Sequence, residues 1–429
     1  MMLRLLSVLL LTLSLAAKDI YTVDELIIKT LENSPDLKIS ADEYRASQSR
    51  YDKGFASYLP KVDLSLSAGE TGMSDIPENK NSMIDDTLLL GKLSLKQIVY
   101  DFGKTGGSVD SLKYDSDAYL SSNEQQISDK IRDVKSAYYE VLKAIALIAV
   151  NRENVKLNEA QLYRSQKYFE SGIKTKIDVS DAKVELIKSK LDLKNSLYTL
   201  ELAYASLDAV VGFMDNSTDY EVYSKTLNFE NILDFLNGYP LSLKRSIDFA
   251  YENRFELKKN LFEIKSAEAT SRAAEARFYP ELYLGANYTK QKVDKFEDRT
   301  PQDQYTITLN LDYNIYEGGA STATAQEKKI ALDIAQSKLN NSRLFIKKQT
   351  TQAYINLNRT KDSVVLSQNL LEVSSDKFEQ AQKRYEYGLS DFIELQQARQ
   401  GYIDAKSNLI ISFYDYYNAI ALLDNAIGK

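Results

Sequence analysis

The chain contains no cysteine, no histidine and no tryptophan, and only six prolines in 429 residues. Without cysteine there is no disulfide to hold the fold, and no thioether-linked lipid is expected. Without histidine or cysteine there is no Ser-His or Cys-His nucleophile, no zinc site of the usual ligand types and no histidine pH switch. No GxxxxGK phosphate loop occurs, so nucleotide hydrolysis has no machinery. Carboxylate pairs could do acid–base chemistry, but 61 acidic residues generate such pairs by chance. The net charge of −7 argues against nucleic acid as a partner. The expectation is a protein that is not an enzyme and carries no cofactor and no metal. Past the N-terminus the longest apolar run is Ala144 to Val150, far short of the roughly 18 residues a transmembrane helix needs.

What the sequence does have is a long internal repeat. Residues 100–212 recur as residues 316–428 without insertion. Tyr100-Asp101-Phe102-Gly103 aligns with Tyr316-Glu317-Gly318-Gly319, and Phe169-Glu170-Ser171-Gly172 with Tyr385-Glu386-Tyr387-Gly388. Upstream, Asn33, Leu37 and Pro60 match Asn253, Leu257 and Pro280. Two long copies indicate a duplicated unit, whereas a solenoid would show many short ones. Residues 1–17 read as a secretory signal: Arg4, an apolar stretch Leu5 to Leu15, and Ser14-Leu15-Ala16 as a small-x-small cleavage site. The first repeat is then 18–212, a linker spans 213–240, and the second repeat is 241–429.

Each repeat carries helical segments too long for a globule. Lys104 to Glu170 has no proline, and Ile127, Ile131, Val134, Tyr138, Val141, Ile145 and Ile148 alternate spacings of four and three. That is a coiled-coil seam on roughly 100 Å of helix. A second seam runs from Val179 through Leu186, Leu193 and Leu200 to Val211, and its copy from Leu395 through Tyr402, Leu409 and Tyr416 to Ile427. An N-terminal helix near 22–57, placed end to end with 176–211, would match the long helix in length. In the second copy Leu357, Val364, Leu371, Phe378 and Tyr385 are apolar while Lys361, Gln368 and Gln382 are polar, a sign that one flank faces water.

Between the helices lie four alternating stretches. Tyr305, Ile307, Leu309, Leu311, Tyr313 and Ile315 alternate with polar residues. Val62, Leu64, Leu66 and Ala68 do the same, as do Leu282, Leu284, Ala286 and Tyr288, and more weakly Leu93, Leu95 and Val99. Strands are expected near 61–69, 92–102, 281–289 and 305–316, with 70–91 and 290–304 as exposed hairpin loops. Pro60, Gly103, Pro280 and Gly319 are the expected helix–strand transitions. Strands apolar on one face and polar on the other suit an outer-membrane barrel wall. Four cannot close a barrel, and open edges in lipid leave backbone groups unsatisfied. Several chains must share one barrel, and three would give twelve strands.

These features resemble the TolC family of outer-membrane efflux proteins over essentially the whole mature chain. The specific marks are the strand exits Val99-Tyr100-Asp101-Phe102-Gly103 and Ile315-Tyr316-Glu317-Gly318-Gly319. The turns Tyr168-Phe169-Glu170-Ser171-Gly172 and Arg384-Tyr385-Glu386-Tyr387-Gly388 match as well, each followed six residues later by Asp178 or Glu394. The resemblance implies a mainly α protein with a β-barrel, built from a duplicated helix–strand-hairpin–long helix–turn–helix unit. A homotrimer would place a 12-stranded barrel in the outer membrane of a Gram-negative bacterium, with most of its mass as a long α-helical periplasmic tunnel. Its partners would be a periplasmic adaptor protein and a proton-driven or ABC inner-membrane transporter that supplies the energy. The linker would join a belt around the tunnel, with no long C-terminal tail expected to add to it.

The resemblance also implies site residues. A periplasmic gate and selectivity ring would be formed at Glu394 and Gln397, with Asp178 and Asp181 as first-repeat equivalents. Gln397 departs from the family's acidic pattern. Acids at helix N-termini are also favoured by the helix dipole, which accounts for one acid per turn equally well. Gly172, Ile173, Lys174, Gly388, Leu389 and Ser390 would be the tips that meet the adaptor. The family's basic lock falls on Ser390, and Lys174 is the candidate substitute. The expected function is an exit duct, foremost for small molecules and drugs. The alternatives are a type I protein secretion duct and a non-pore structural coiled-coil protein of the periplasm, which would have no use for membrane-length amphipathic strands.

Overall fold

The computed structural model describes residues 19–74, 83–214, 220–224, 229–236, 238–293 and 303–429. The expected signal at 1–17 lies outside the described residues. In chain order the elements are β1 (Asp19–Tyr21), α1 (Val23–Asn33), α2 (Pro35–Phe55), β2 (Lys61–Ser74), β3 (Met83–Tyr100), α3 (Lys104–Glu170), α4 (Lys176–Val211) and β4 (Tyr220–Val222). They continue with α5 (Leu243–Asn253), α6 (Phe255–Glu275), β5 (Glu281–Val293), β6 (Asp303–Asp312), α7 (Ala320–Glu386) and α8 (Phe392–Ile427). Both α3 and α7 contain 67 residues, and both α4 and α8 contain 36. Among the described residues no helix is long and apolar enough to cross a membrane.

The described residues divide into two units, one within 19–37, 126–253 and 346–429, the other within 38–125 and 254–345. In the first, Leu26 of α1, Val134, Tyr138 and Val141 of α3, and Leu207 and Val211 of α4 form a core with Tyr220 and Val222 of β4. β4 pairs in parallel with β1. The Tyr138 hydroxyl donates to the Tyr223 carbonyl at 2.7 Å, and burial pushes its pKa up to about 12.

A continuous helix over 22–57 does not form. Thr22 and Glu25 build a capping box at the start of α1, but Ser34 is extended, with ψ 119°. Pro35 clashes with a helical conformation at the residue before it. The companion break at Arg254, ψ 123°, has no proline to announce it. The end-to-end arrangement is therefore displaced: α1 lies beside the last turns of α4. α4 ends at Gly212 (φ 87°), where a Cβ would stand 3.0 Å from the Asn33 carbonyl oxygen.

The polar flank of α7 is only partly open to solvent in this fold. Lys361, Gln368 and Gln382 are half-buried, and the Gln368 carbonyl oxygen is buried with no hydrogen-bond partner. The seam residues Leu357, Val364, Leu371 and Tyr385 are buried as the heptad spacing requires.

The second unit holds an antiparallel sheet of order β2-β3-β5-β6. Its register explains the alternation. Val62 pairs with Leu95, Leu95 with Ala286 and Ala286 with Ile307. One rung on, Leu64 pairs with Leu93, Leu93 with Tyr288 and Tyr288 with Tyr305. Directly paired residues share a face, so one face is apolar across all four strands. The other carries rows such as Asp63, Ser94, Asn287 and Thr306. On the apolar face Leu64, Leu66, Tyr305, Ile307 and Leu309 are exposed.

Two expectations are corrected by pairing. Most of 70–91 is strand, because β2 and β3 stay in register out to Ser74 and Met83, and 290–293 and 303–304 likewise belong to β5 and β6. Residues 75–82 and 294–302 lie outside the described residues. Conversely, β6 stops at Asp312, which pairs with Glu281, the first residue of β5 after Pro280. Tyr313 and Ile315 keep the alternation but have run past their partner strand.

Candidate functional site at the helix tips

The two helix–helix turns are built alike and lie together in the first unit. After α3, Gly172 adopts φ 74° and the Ile173 amide donates to the Tyr168 carbonyl at 2.9 Å. After α7, Gly388 adopts φ 72° and the Leu389 amide donates to the Arg384 carbonyl at 2.8 Å. A left-handed residue with a bond back across the last turn closes a helix end and reverses the chain.

Side chains then start the returning helices. The Thr175 amide and hydroxyl donate to the Asp178 carboxylate at 2.9 and 2.8 Å, forming the capping box of α4. Burial would raise the Asp178 pKa. The Thr175 hydrogen bonds and the nearby Lys174 charge outweigh it and hold the carboxyl below its usual range. In α8 the cap is Asp391, whose carboxylate accepts from the Glu394 amide at 2.8 Å. Glu394 is thus freed from capping, and its carboxylate sits 3.1 Å from the Arg384 guanidinium. Arg384 also donates to the Leu389 carbonyl at 3.3 Å, fastening the turn.

A small core holds the four helix ends together. Ala182 of α4, Ala381 and Tyr385 of α7, and Phe392, Leu395 and Ala398 of α8 are buried, with Leu162, Tyr168 and Phe378 packed against them. Three contacts tie the first-repeat end to the second. Lys174 Nζ lies 5.1 Å from the centre of the Tyr385 ring. Tyr168 packs against Tyr385 at 6.4 Å, and Arg164 pairs with Glu386 at 2.6 Å. Around them the interior of α3 is polar: Asn154, Asn158, Gln161 and Ser165 are all buried.

Of the ring residues, Asp178 and Glu394 are half-buried, while Asp181 and Gln397 are exposed. At the turns Ile173 and Leu389 are 66% and 69% exposed, leaving two bare aliphatic side chains beside the glycines. Ser390 is half-buried and its hydroxyl has no hydrogen-bond partner. In the other unit, Pro60 and Pro280 follow short 3-10 turns and precede β2 and β5. Gly103 and Gly319 take φ 92° and 88° before α3 and α7. There the Asp101 carboxylate caps α3, accepting from the Gly103 and Thr105 amides.

Sequence reasoning did not single out Arg164, Glu386, Arg384 or Asp101 as contacts. Asp101 could have been found, since an Asx residue ahead of a long helix is an N-cap signal. Arg164 and Glu386 are 222 residues apart, and only the packing of the tips pairs them.

The sequence is 21% identical over 411 residues to the outer membrane protein TolC of Vibrio cholerae, covering 94% of this chain and 90% of that one. It is 21% identical over 394 residues to the probable efflux pump outer membrane protein TtgC of Pseudomonas putida, covering 90% and 79%. Among solved structures, the CmeC outer membrane channel of Campylobacter jejuni superposes with a TM-score of 0.83 at 17% identity, covering 95% of this chain and 85% of CmeC. The outer membrane protein VceC of Vibrio cholerae gives 0.82 at 15% identity, covering 95% and 96%. These likenesses carry the fold. The profile of the family described as outer membrane efflux protein matches residues 26–213 and 247–429. The chain therefore belongs to the outer membrane efflux protein family, whose members are channel proteins of the Gram-negative outer membrane rather than enzymes.

Proposed function

We propose that this chain forms a homotrimeric exit duct, with a 12-stranded barrel in the outer membrane and a helical tunnel closed at the tips described above. The observation that carries this reading is the four-stranded sheet. One face carries apolar rows across all four strands, from Val62 and Leu64 to Tyr305 and Ile307, and β2 and β6 each have an unpaired edge among the described residues. An open edge in hydrocarbon costs several kcal/mol per unsatisfied group, so copies of the chain must supply the missing pairings. The helices support the same assembly. On α4, Ile177, Val184, Ile187, Leu191, Tyr198 and Leu202 form an exposed apolar seam. On α7, Leu366, Leu370 and Val373 form another. Exposed seams at coiled-coil spacing suit packing against neighbouring copies.

At the tips, Glu394 with Asp178 and Asp181 would set a negative ring, with Gln397 contributing no charge. Gly172, Ile173 and Lys174, with Gly388, Leu389 and Ser390, form the surface on which a periplasmic adaptor would dock. An inner-membrane transporter supplies the driving force, since nothing in the chain can. The cargo we favour is small molecules, in keeping with relatives whose names specify efflux of toluene and antibiotics.

A strain lacking the gene tests this reading through its susceptibility to lipophilic drugs, bile salts and heavy metals. Broad sensitisation reversed by the wild-type gene is expected. Unchanged susceptibility together with loss of one secreted protein would replace small molecules by a dedicated secretion cargo.

A further inference from the structure

Within the first unit, α3 and α8 run antiparallel and are joined by a row of polar contacts. Asn425 bonds Ser128 at 3.1 Å and Arg132 at 3.2 Å. Ser136 donates to Asn418 at 2.6 Å, and Lys143 approaches Asp415 at 3.4 Å. The last rung is Glu153, whose carboxylate accepts from Lys406 Nζ at 2.6 Å and from the Tyr402 hydroxyl at 3.0 Å. Lys406 also donates to the Tyr402 hydroxyl at 3.1 Å. The Tyr402 ring stacks on Phe378 of α7, centroids 5.5 Å apart and planes 14° from parallel. One node thus joins three helices.

Among the described residues no hydrogen bond or ion pair joins α3 to α8 between this node and the turns. Cohesion changes there as well. On the far side from the turns, the core is the apolar cluster of Val134, Tyr138 and Val141, with the Tyr138 hydroxyl satisfied and the Ser246 hydroxyl and Gln368 oxygen as buried polar atoms without partners. On the tip side, the Asn158 side-chain oxygen and the Ser390 hydroxyl are buried without partners. The Tyr385 hydroxyl lies near Ser165 and Gln161 but outside hydrogen-bonding geometry with either. Buried polar groups without partners, concentrated next to the turns, mark a segment of low local stability.

We propose that Glu153, Tyr402 and Lys406 are the pivot of the gate. The tip segments, 154–185 of the first repeat and 376–401 of the second, loosen from one another only as far as this node. The α3–α8 ladder from Ser128 to Asp415 stays paired. Glu153, Tyr402 and Lys406 are positioning residues in this scheme: they fix where motion stops and touch no cargo. The inference rests on the gate reading given above.

The test is amide hydrogen exchange on the full-length protein in lipid, read beside its single-channel conductance. Loosening the tips with Lys174→Met and Arg384→Gln should raise conductance and speed exchange at least tenfold in 154–185 and 376–401, leaving 128–150 and 408–425 unchanged. Adding Glu153→Gln should move the boundary back to the next rung, so that 402–415 also speeds up. The double change Glu153→Gln with Lys406→Met should do the same without leaving a cation over an uncharged partner. Raised conductance with exchange spread evenly along α3 and α8, or a boundary that ignores Glu153→Gln, overturns the pivot alone. Unchanged conductance in the tip variant overturns the gate reading and the pivot with it.

Discussion

The Lys174 ammonium lies 5.1 Å from the centre of the Tyr385 ring, reaching from the first-repeat turn to the last turn of α7. A lysine over an aromatic face contributes about 0.5–1 kcal/mol at a partly exposed site. Replacing Lys174 with Met keeps the aliphatic contact and removes the charge. The open fraction of the gate should rise about two- to fivefold, read as faster release of a hydrophilic dye from vesicles containing the protein. A release rate equal to that of wild type would mean that Lys174 does not hold the tips.

Charge at the same tips should govern selectivity more than stability. The Arg384–Glu394 pair is about half exposed on both sides, and such pairs contribute about 0–1 kcal/mol. Glu394→Gln should shift the melting temperature little. Neutralising Asp178, Asp181 and Glu394 together should reduce cation over anion permeability, read from the reversal potential in a salt gradient. An unchanged reversal potential would remove these residues from the ion path.

Acid should loosen the start of α4. The Asp178 carboxyl is held below its ordinary value in the fold. A depressed pKa stabilises the folded state fully above the ordinary value, and that contribution disappears as pH falls through the depressed one. Amide protection in the first turn of α4 should therefore be flat from neutral pH down to the ordinary carboxylate range and then drop, whereas Asp178→Asn should lack the acid-dependent step. A step of the same size in both proteins would assign it to another group.

The two turn glycines should be equally intolerant of a side chain. A Cβ at Gly172 or Gly388 meets no atom within 4 Å, so packing does not forbid alanine. The positive φ does, at about 1–2 kcal/mol per residue. Gly172→Ala and Gly388→Ala should each lower thermal stability by a similar step, and the pair by about the sum. A neutral substitution at either turn would show that its left-handed conformation is not required.

Much of this architecture could be read directly from residues. The recurrence of 100–212 as 316–428 announces two copies, and the seams through Val134, Tyr138 and Val141 and through Leu409, Phe413 and Tyr416 are buried as their spacing demands. What escaped was whatever a distant partner decides. The strands reach Ser74 and Met83 because each supplies the other's hydrogen bonds, although the composition there resembles a loop. β6 stops at Asp312 because its partner begins at Glu281, whatever Tyr313 and Ile315 suggest. The break at Ser34 was legible in Pro35, whereas that at Arg254 has no local signal. At the tips, the two turns and their caps follow from Gly172, Thr175, Gly388 and Asp391. The contacts between them, Lys174 with Tyr385 and Arg164 with Glu386, exist only once the two repeats pack together.

The most direct measurement is single-channel recording of the purified protein in a planar bilayer, wild type beside Lys174→Met with Arg384→Gln. The account predicts small, discrete, cation-selective steps for the wild type and larger steps of the same selectivity for the variant. A protein that inserts as a trimer yet passes no current in either form would contradict it.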